Sequence, residues 1–256
     1  MVKKRLVGVV TIRNGLAVQS FSYKYYLPLG NPLCIIQNLD RWGVDEILIQ
    51  VTDRSLNQLG PDFELLNKLG EIKISTPIIY CGGIRNANDA VNVIKHGSDR
   101  IALDHLLRDS NGELVKISKA LGSQALIACL PIVKDGNELL LYNYESKKKK
   151  ELDKEFLEII SNKDIFSEAL LINKETEGLP DSFDTDLISL FPNIDTPLIA
   201  FGGISEVKQT QDLFSKKQVS AVGIGNFLNY REHSVQLFKK SIKSNYLRPP
   251  IYSSII

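Results

Sequence analysis

Cysteine is scarce and scattered in this chain. Its three cysteines, Cys34, Cys81 and Cys129, have neither the spacing of a metal site nor the number for a disulfide framework. Cys81 and Cys129 stand inside apolar runs, where cysteine serves as a small core residue rather than a nucleophile. An excess of one charge is missing too: 31 Lys and Arg against 30 Asp and Glu leave a formal net charge of +1. That balance offers no bulk attraction to nucleic acid or to an anionic membrane. The one basic cluster, Lys147 to Lys150, reads as a solvated loop. No apolar run approaches the length of a membrane span. The start, Lys3-Lys4-Arg5 and then five apolar or small residues before Thr11, is too short for a signal peptide. A cytoplasmic protein is expected, without metal or cofactor.

What the chain does have is a repeat. Pro77-Ile78-Ile79-Tyr80-Cys81-Gly82-Gly83-Ile84 returns 120 residues later as Pro197-Leu198-Ile199-Ala200-Phe201-Gly202-Gly203-Ile204. Each copy is an apolar run without polar alternation, which marks a strand buried on both faces. Each ends in a glycine pair, where backbone comes close to a ligand and free N–H groups can cradle an anion. A second strand follows each copy, Arg100 to Asp104 and Ala221 to Asn226. The repeat also aligns Leu6 to Ile12 with Leu126 to Ile132, and Glu46 to Ile49 with Glu168 to Leu171.

Eight apolar strands result, near residues 5–11, 46–51, 77–81, 100–104, 125–131, 168–173, 197–201 and 220–225. Helical stretches such as Pro32 to Trp42 and Asn86 to His96 separate them, with Gly43 and Gly97 after them as caps. Two equivalent halves of four buried strands predict one (β/α)8 barrel over residues 1–256, a length usual for that fold. A doubly wound open sheet is the alternative. It would not produce two equivalent ligand-type turns half a chain apart. Asp135-Gly136 with Leu139 to Tyr142 predicts a hairpin within an insert spanning about residues 133–152. The tail, about residues 246–256, cannot be helical through Arg248-Pro249-Pro250.

Barrel chemistry lies at the C-terminal ends of the strands. Those ends carry Thr11, Asp53, Gly82 with Gly83, Asp104 with His105, Pro131, Glu175, Gly202 with Gly203, and Gly225 with Asn226. The two glycine-rich corners point to a ligand with a phosphate at each end; the other reading is that the glycines only permit tight turns. Asp104 repels an anion at the first corner, which favours the second. Thr11 and Pro131 hold the two equivalent central positions, and neither can shuttle a proton at neutral pH. At the opposite face four strands begin with a charge: Arg5, Glu46, Arg100 and Glu168. They are either solvated strand ends or a neutral ring closing the barrel bottom.

Over essentially its whole length the chain resembles the cyclase subunit of imidazole glycerol phosphate synthase, the HisF family. The resemblance rests on Lys4-Arg5 with Asn14-Gly15, Gly122-Ser123-Gln124-Ala125, both glycine corners, and Tyr230-Arg231-Glu232. It implies a substrate with two phosphates across the barrel top and a glutaminase on the bottom. Ammonia would enter through a gate of four charges, onto which Arg5, Glu46, Arg100 (a lysine in the family) and Glu168 fall. Asp99 falls on a family aspartate at the glutaminase interface. The departures matter as much. The family's two catalytic aspartates are Thr11 and Pro131 here, its first-loop lysine is Gln19, and its Asp-Gly-Thr is Glu177-Gly178-Leu179. The expectation is a divergent HisF-like subunit that passes ammonia from a glutaminase to a sugar amidotransferase in surface-polysaccharide synthesis, without cyclising. The alternatives are a true cyclase with acid/base groups moved to Asp53, Asp104 or Glu175, and a phosphometabolite-binding barrel with no partner.

Overall fold

The computed structural model describes residues 4–109, 111–192, 194–230 and 233–241. The proline tail, Arg231 and Glu232 lie outside them. Twelve strands form one sheet: β1 (Arg5–Arg13), β2 (Leu16–Phe21), β3 (Tyr25–Gly30), β4 (Glu46–Val51), β5 (Ile78–Cys81), β6 (Arg100–Leu103), β7 (Leu126–Asp135), β8 (Glu138–Tyr142), β9 (Lys149–Glu151), β10 (Glu168–Asn173), β11 (Leu198–Phe201) and β12 (Val219–Ile224). Eight of them run parallel in the order β10, β11, β12, β1, β4, β5, β6, β7, and β10 pairs with β7 to close the ring. This is the (β/α)8 barrel the repeat predicts, and its eight strands fall within a few residues of the apolar runs.

Burial divides each barrel strand by alternation, because successive side chains point to opposite faces. Leu6, Val10 and Ile12 join an outer core with the helices, while Val7 and Val9 join an inner cluster with Leu48, Ile127, Cys129, Leu170 and Phe201. The helix Pro32–Trp42 is typical of the outer layer. Asn31 caps it by accepting the Leu33 N–H at 2.9 Å, proline opens it, and Gly43 ends it in the left-handed region.

Each half opens with a long strand that runs past the barrel and folds back. β1 pairs antiparallel with β2, and β2 with β3; β7 pairs with β8, and β8 with β9. The second hairpin is the one that Asp135-Gly136 predicts. The first is an addition to the sequence reading: its turn is Asn14-Gly15, both at positive φ, a strong short-range hairpin signal. Lys149 and Lys150 belong to exposed β9 rather than to a loop.

Pro131 explains itself in this frame. Leu126 and Ile132 offer their carbonyls to β10, so Pro131, odd in the alternation, presents its missing N–H to the other side. There β6 pairs only as far as Ala128, and β8 begins pairing only at Ile132. The proline sits in the gap and costs no ladder hydrogen bond.

The first hairpin is fastened across the barrel mouth by the loop after β10. Ser20 Oγ donates to Glu177 Oε2 at 2.7 Å, the Tyr23 N–H donates to the same oxygen at 3.2 Å, and the Ser22 N–H donates to the Glu177 carbonyl at 2.7 Å. A Cβ on Gly178 would stand 1.8 Å from the Ser20 carbonyl oxygen, so only glycine permits this approach. Burial pushes the Glu177 carboxyl up to about 7, against the pull of its hydrogen bonds and of Lys174.

Two stability predictions follow from these buried charges. Lys239 and Asp45 pair at 2.8 Å, with side chains only 2% and 3% exposed. Lys239→Ala strands the aspartate and should cost about 3–5 kcal/mol in urea denaturation at pH 7. Glu177 keeps its proton in the folded state after the unfolded chain has released it. Stability therefore falls as pH rises from about 4.5 to about 7 and is flat above that. Glu177→Gln should remove this term, so the variant gains on wild type by up to about 3 kcal/mol between pH 5 and pH 8. A difference that does not change with pH would count against it.

Candidate functional site: the two faces of the barrel

At the N-terminal face the four strand-start charges meet. They share the inward parity of Val7, Leu48, Ala102 and Leu170 in their own strands. Arg5 Nη1 lies 3.0 Å from Glu46 Oε2, and its Nη2 is paired with Glu168 Oε1. Arg100 Nη1 lies 3.3 Å from Glu46 Oε1 and 2.7 Å from Glu168 Oε2. Each arginine thus bridges both glutamates, and the ring is neutral. Burial opposes the charge on Arg5, but Glu168 and Glu46 outweigh it and raise its pKa. Burial wins at Glu46, whose pKa rises despite both arginines; at Glu168 the arginines and the Ser220 hydroxyl win, and its pKa falls. Asp99 is exposed beside the ring and accepts the Ile78 N–H at 2.8 Å.

Above the ring the inner cluster is apolar, with small side chains at Ala102, Cys129 and Ala221. Thr11 and Pro131 top it, both with inward parity; Gln50 stands beside Thr11 in the β1–β4 register. Tyr23, from the first hairpin, covers this end and donates its hydroxyl to Gln50 Oε1 at 2.9 Å. Tyr144, from the second hairpin, meets Tyr23 edge to face at 5.6 Å, and Tyr142 meets Tyr144 at 5.3 Å. Burial raises the phenol pKa of both Tyr23 and Tyr144 well above the ordinary value. The Tyr144 hydroxyl is buried and has no hydrogen-bond partner among the described residues.

The two glycine corners differ. The first, Gly82, Gly83, Asp104 and His105, lines an open cavity of about 170 Å³ that also takes in Arg13, Lys147 and the tyrosines. The Gly83 N–H donates to Ser55 Oγ at 3.3 Å. Glu145, in the loop between β8 and β9, lies 3.1 Å from Arg85 and 3.2 Å from His105 Nδ1. The second corner is roofed by the chain itself. The Gly203 carbonyl accepts the N–H groups of Ser182 and Phe183 at 2.9 and 3.0 Å. Asn226 Nδ2 donates to the Ser20 carbonyl at 2.8 Å, and its Oδ1 accepts the Ser20 N–H at 3.3 Å. Asp104 disfavours an anion at the first corner; access favours it, because the loop after β10 packs on Gly202 and Gly203 and the hairpin holds the Asn226 amide.

Of the three carboxylates offered as relocated acid/base groups, only Asp104 lines the cavity; Glu175 is exposed and Asp53 faces a separate cleft. The buried carboxyl closest to neutrality is Glu177. The sequence showed it only as the first residue of Glu177-Gly178-Leu179, in place of the family's Asp-Gly-Thr; its desolvation comes from a hairpin 150 residues away in the chain. Among the described residues no three His, Cys, Asp or Glu side chains stand together as a metal site, and no helix is long and apolar enough to cross a membrane.

The histidine biosynthesis protein family matches residues 5–234. The chain is 26% identical over 258 residues to a protein of Vibrio vulnificus (strain YJ016) provisionally named imidazole glycerol phosphate synthase subunit hisF2, covering 100% of this chain and 94% of that one. It is 23% identical to the imidazole glycerol phosphate synthase subunit HisF of Exiguobacterium sp. (strain ATCC BAA-1283 / AT1b), over 96% of each chain. It is 24% identical to the subunit HisF of Thermococcus gammatolerans (strain DSM 15229 / JCM 11827 / EJ3), over 94% of this chain and 95% of that one. On fold and full-length match, the chain belongs to the histidine biosynthesis protein family, as a divergent HisF-type barrel.

Proposed function

We propose that this barrel is an ammonia-conducting subunit: it docks a HisH-like glutaminase on its N-terminal face and passes ammonia upward without closing an imidazole ring. The observation that carries the reading is the paired, neutral ring beneath an apolar interior topped by Thr11 and Pro131. Burying four charges is expensive, and an apolar filling of equal volume would often be as stable or more so. A ring that persists at that cost under a top without a proton shuttle fits transport better than cyclisation. A small neutral molecule passes where such a ring opens slightly, while ions meet a fixed barrier of charge. Asp99, exposed beside the ring, is the docking residue. The acceptor in this reading is a sugar, amidated by a separate amidotransferase in surface-polysaccharide synthesis in the cytoplasm. A phosphorylated molecule would bind at the first glycine corner, where the cavity is open and Arg13 and Lys147 supply positive charge.

The true-cyclase reading keeps one supporting observation, Glu177 titrating near neutrality close to the mouth. Its carboxyl is occupied in holding the hairpin, which favours an anchoring role over proton transfer.

Two experiments test the proposal. Given ammonium salt and the family's bisphosphate substrate, the protein should cyclise at least about 10²-fold more slowly than an active cyclase, since one missing acid/base group alone costs roughly that much. Turnover within tenfold of an active cyclase would sink this part of the proposal. In a system reconstituted with glutaminase, Arg5→Ala should cut glutamine-dependent transfer about tenfold or more and leave transfer from ammonium salt within about twofold. Thermal melting alongside checks folding. Equal loss with both nitrogen sources, in a folded variant, would mean that the ring is no gate.

A further inference from the structure

The loop between β8 and β9, residues 143–148, is a compact turn of its own at the barrel mouth. Asn143 Oδ1 accepts the N–H groups of Glu145 and Ser146, both at 2.9 Å, and the Asn143 N–H donates to the Lys148 carbonyl at 2.8 Å. Among the described residues, only Glu145 ties this loop to the rest of the barrel by an ion pair or side-chain hydrogen bond. Its Oε1 lies 3.1 Å from Arg85 Nη2 and 3.2 Å from His105 Nδ1. Arg85 follows Gly82-Gly83-Ile84 in the chain and His105 follows Asp104, so both partners belong to the first glycine corner. The chain's own carboxylate thus holds two groups that a ligand's anion would use. The three side chains are 21% to 28% exposed, and water competes for such contacts, so the carboxylate is readily exchanged.

What Glu145 holds in place is its neighbour Tyr144. That ring meets Tyr23 edge to face, and both line one cavity with Cys81 and Cys129 of the inner cluster. The two rings are fixed unequally. Tyr23 is anchored in the barrel, its hydroxyl on Gln50 and its N–H on Glu177. The Tyr144 hydroxyl is buried without a hydrogen bond, a cost that contact with water would remove. The closed position of Tyr144 therefore depends on aromatic packing and on one half-solvated carboxylate.

We propose that Tyr144 is a lid over the upper end of the barrel and that Glu145 is its latch, released by anion exchange. A phosphate group of the ligand takes Arg85 and His105 from Glu145, and the loop then carries Tyr144 off Tyr23. Ammonia leaves the interior only when a phosphorylated ligand occupies the first corner. That consequence for ammonia rests on the conducting reading above; the latch and the lid do not.

The probe is inorganic phosphate, exchanged for chloride at constant ionic strength, on the full chain carrying Cys34→Ser to remove the exposed thiol. Cys129 is 2% exposed and belongs to the inner cluster that Tyr23 packs on, so its alkylation by iodoacetamide, followed by peptide mass spectrometry, reads the lid. Phosphate should speed this alkylation about fivefold or more without lowering Tm, because only the loop opens. Glu145→Ala should alkylate at the fast rate with no phosphate present. It should also bind phosphate about tenfold more tightly by calorimetry, since the internal competitor is gone. A Glu145 that merely shaped the corner would give the reverse, a weaker site. Tyr144→Ala, fast with and without phosphate, decides the lid should Glu145→Ala fail to fold. Alkylation indifferent to phosphate, phosphate affinity unchanged or weaker in folded Glu145→Ala, or slow alkylation in folded Tyr144→Ala each overturn the proposal. None of these readouts uses ammonia, so a failed Arg5→Ala test removes the gate and leaves the lid standing, and a failed thiol test does the converse.

Discussion

The lower end of this barrel is held by charge rather than by apolar packing. Arg5 and Arg100 each reach both Glu46 and Glu168, so that no ring member depends on a single partner. Such a ring exists only because the parallel ladder closes. Glu168 and Arg5 belong to strands brought within reach by the pairing of β10 with β7 and of β12 with β1. The differing fates of the two glutamates follow from their surroundings. Glu168 has the Ser220 hydroxyl in addition to both arginines, and its charge is favoured; Glu46 lacks that donor, and burial prevails.

The upper end is closed by a different chemistry. Both halves extend their first strand into a hairpin, and the hairpins bring Tyr23 and Tyr144 together over the apolar interior. The first hairpin is tied down by Ser20 and the backbone of Ser22 and Tyr23 to the loop after β10. That fastening uses the Asn226 amide and a near-neutral Glu177, and so removes the second glycine corner from solvent. One structural decision, where the hairpin lies, thus sets both which corner is open and which carboxyl is perturbed.

Much of the fold was legible because buried parallel strands carry no polar alternation. Apolar runs located all eight barrel strands, and the half-chain offset of the two glycine corners implied closure. The hairpin β1–β2 and its continuation into β3 escaped because β2 and β3 are short and half exposed, although Asn14-Gly15 carried the turn signal between β1 and β2. The four charges of the ring were readable as strand-start residues of equal parity. Their pairing was not, since solvated ends would look the same in one dimension.

The sequence by itself determined the barrel, its twofold repeat, the positions of the ring charges and the presence of Thr11 and Pro131 at two equivalent strand ends, because each is a matter of residue type at a fixed place on a strand. Tertiary structure alone decided that Pro131 falls in a gap between two pairings, that Gly202 and Gly203 are roofed while Gly82 and Gly83 line a cavity, and that one oxygen of Asp53 is left without a hydrogen bond. These depend on burial and on partners 20 to 200 residues away, and a desolvated carboxylate or a covered N–H acquires its energy from what packs over it, which no local pattern records.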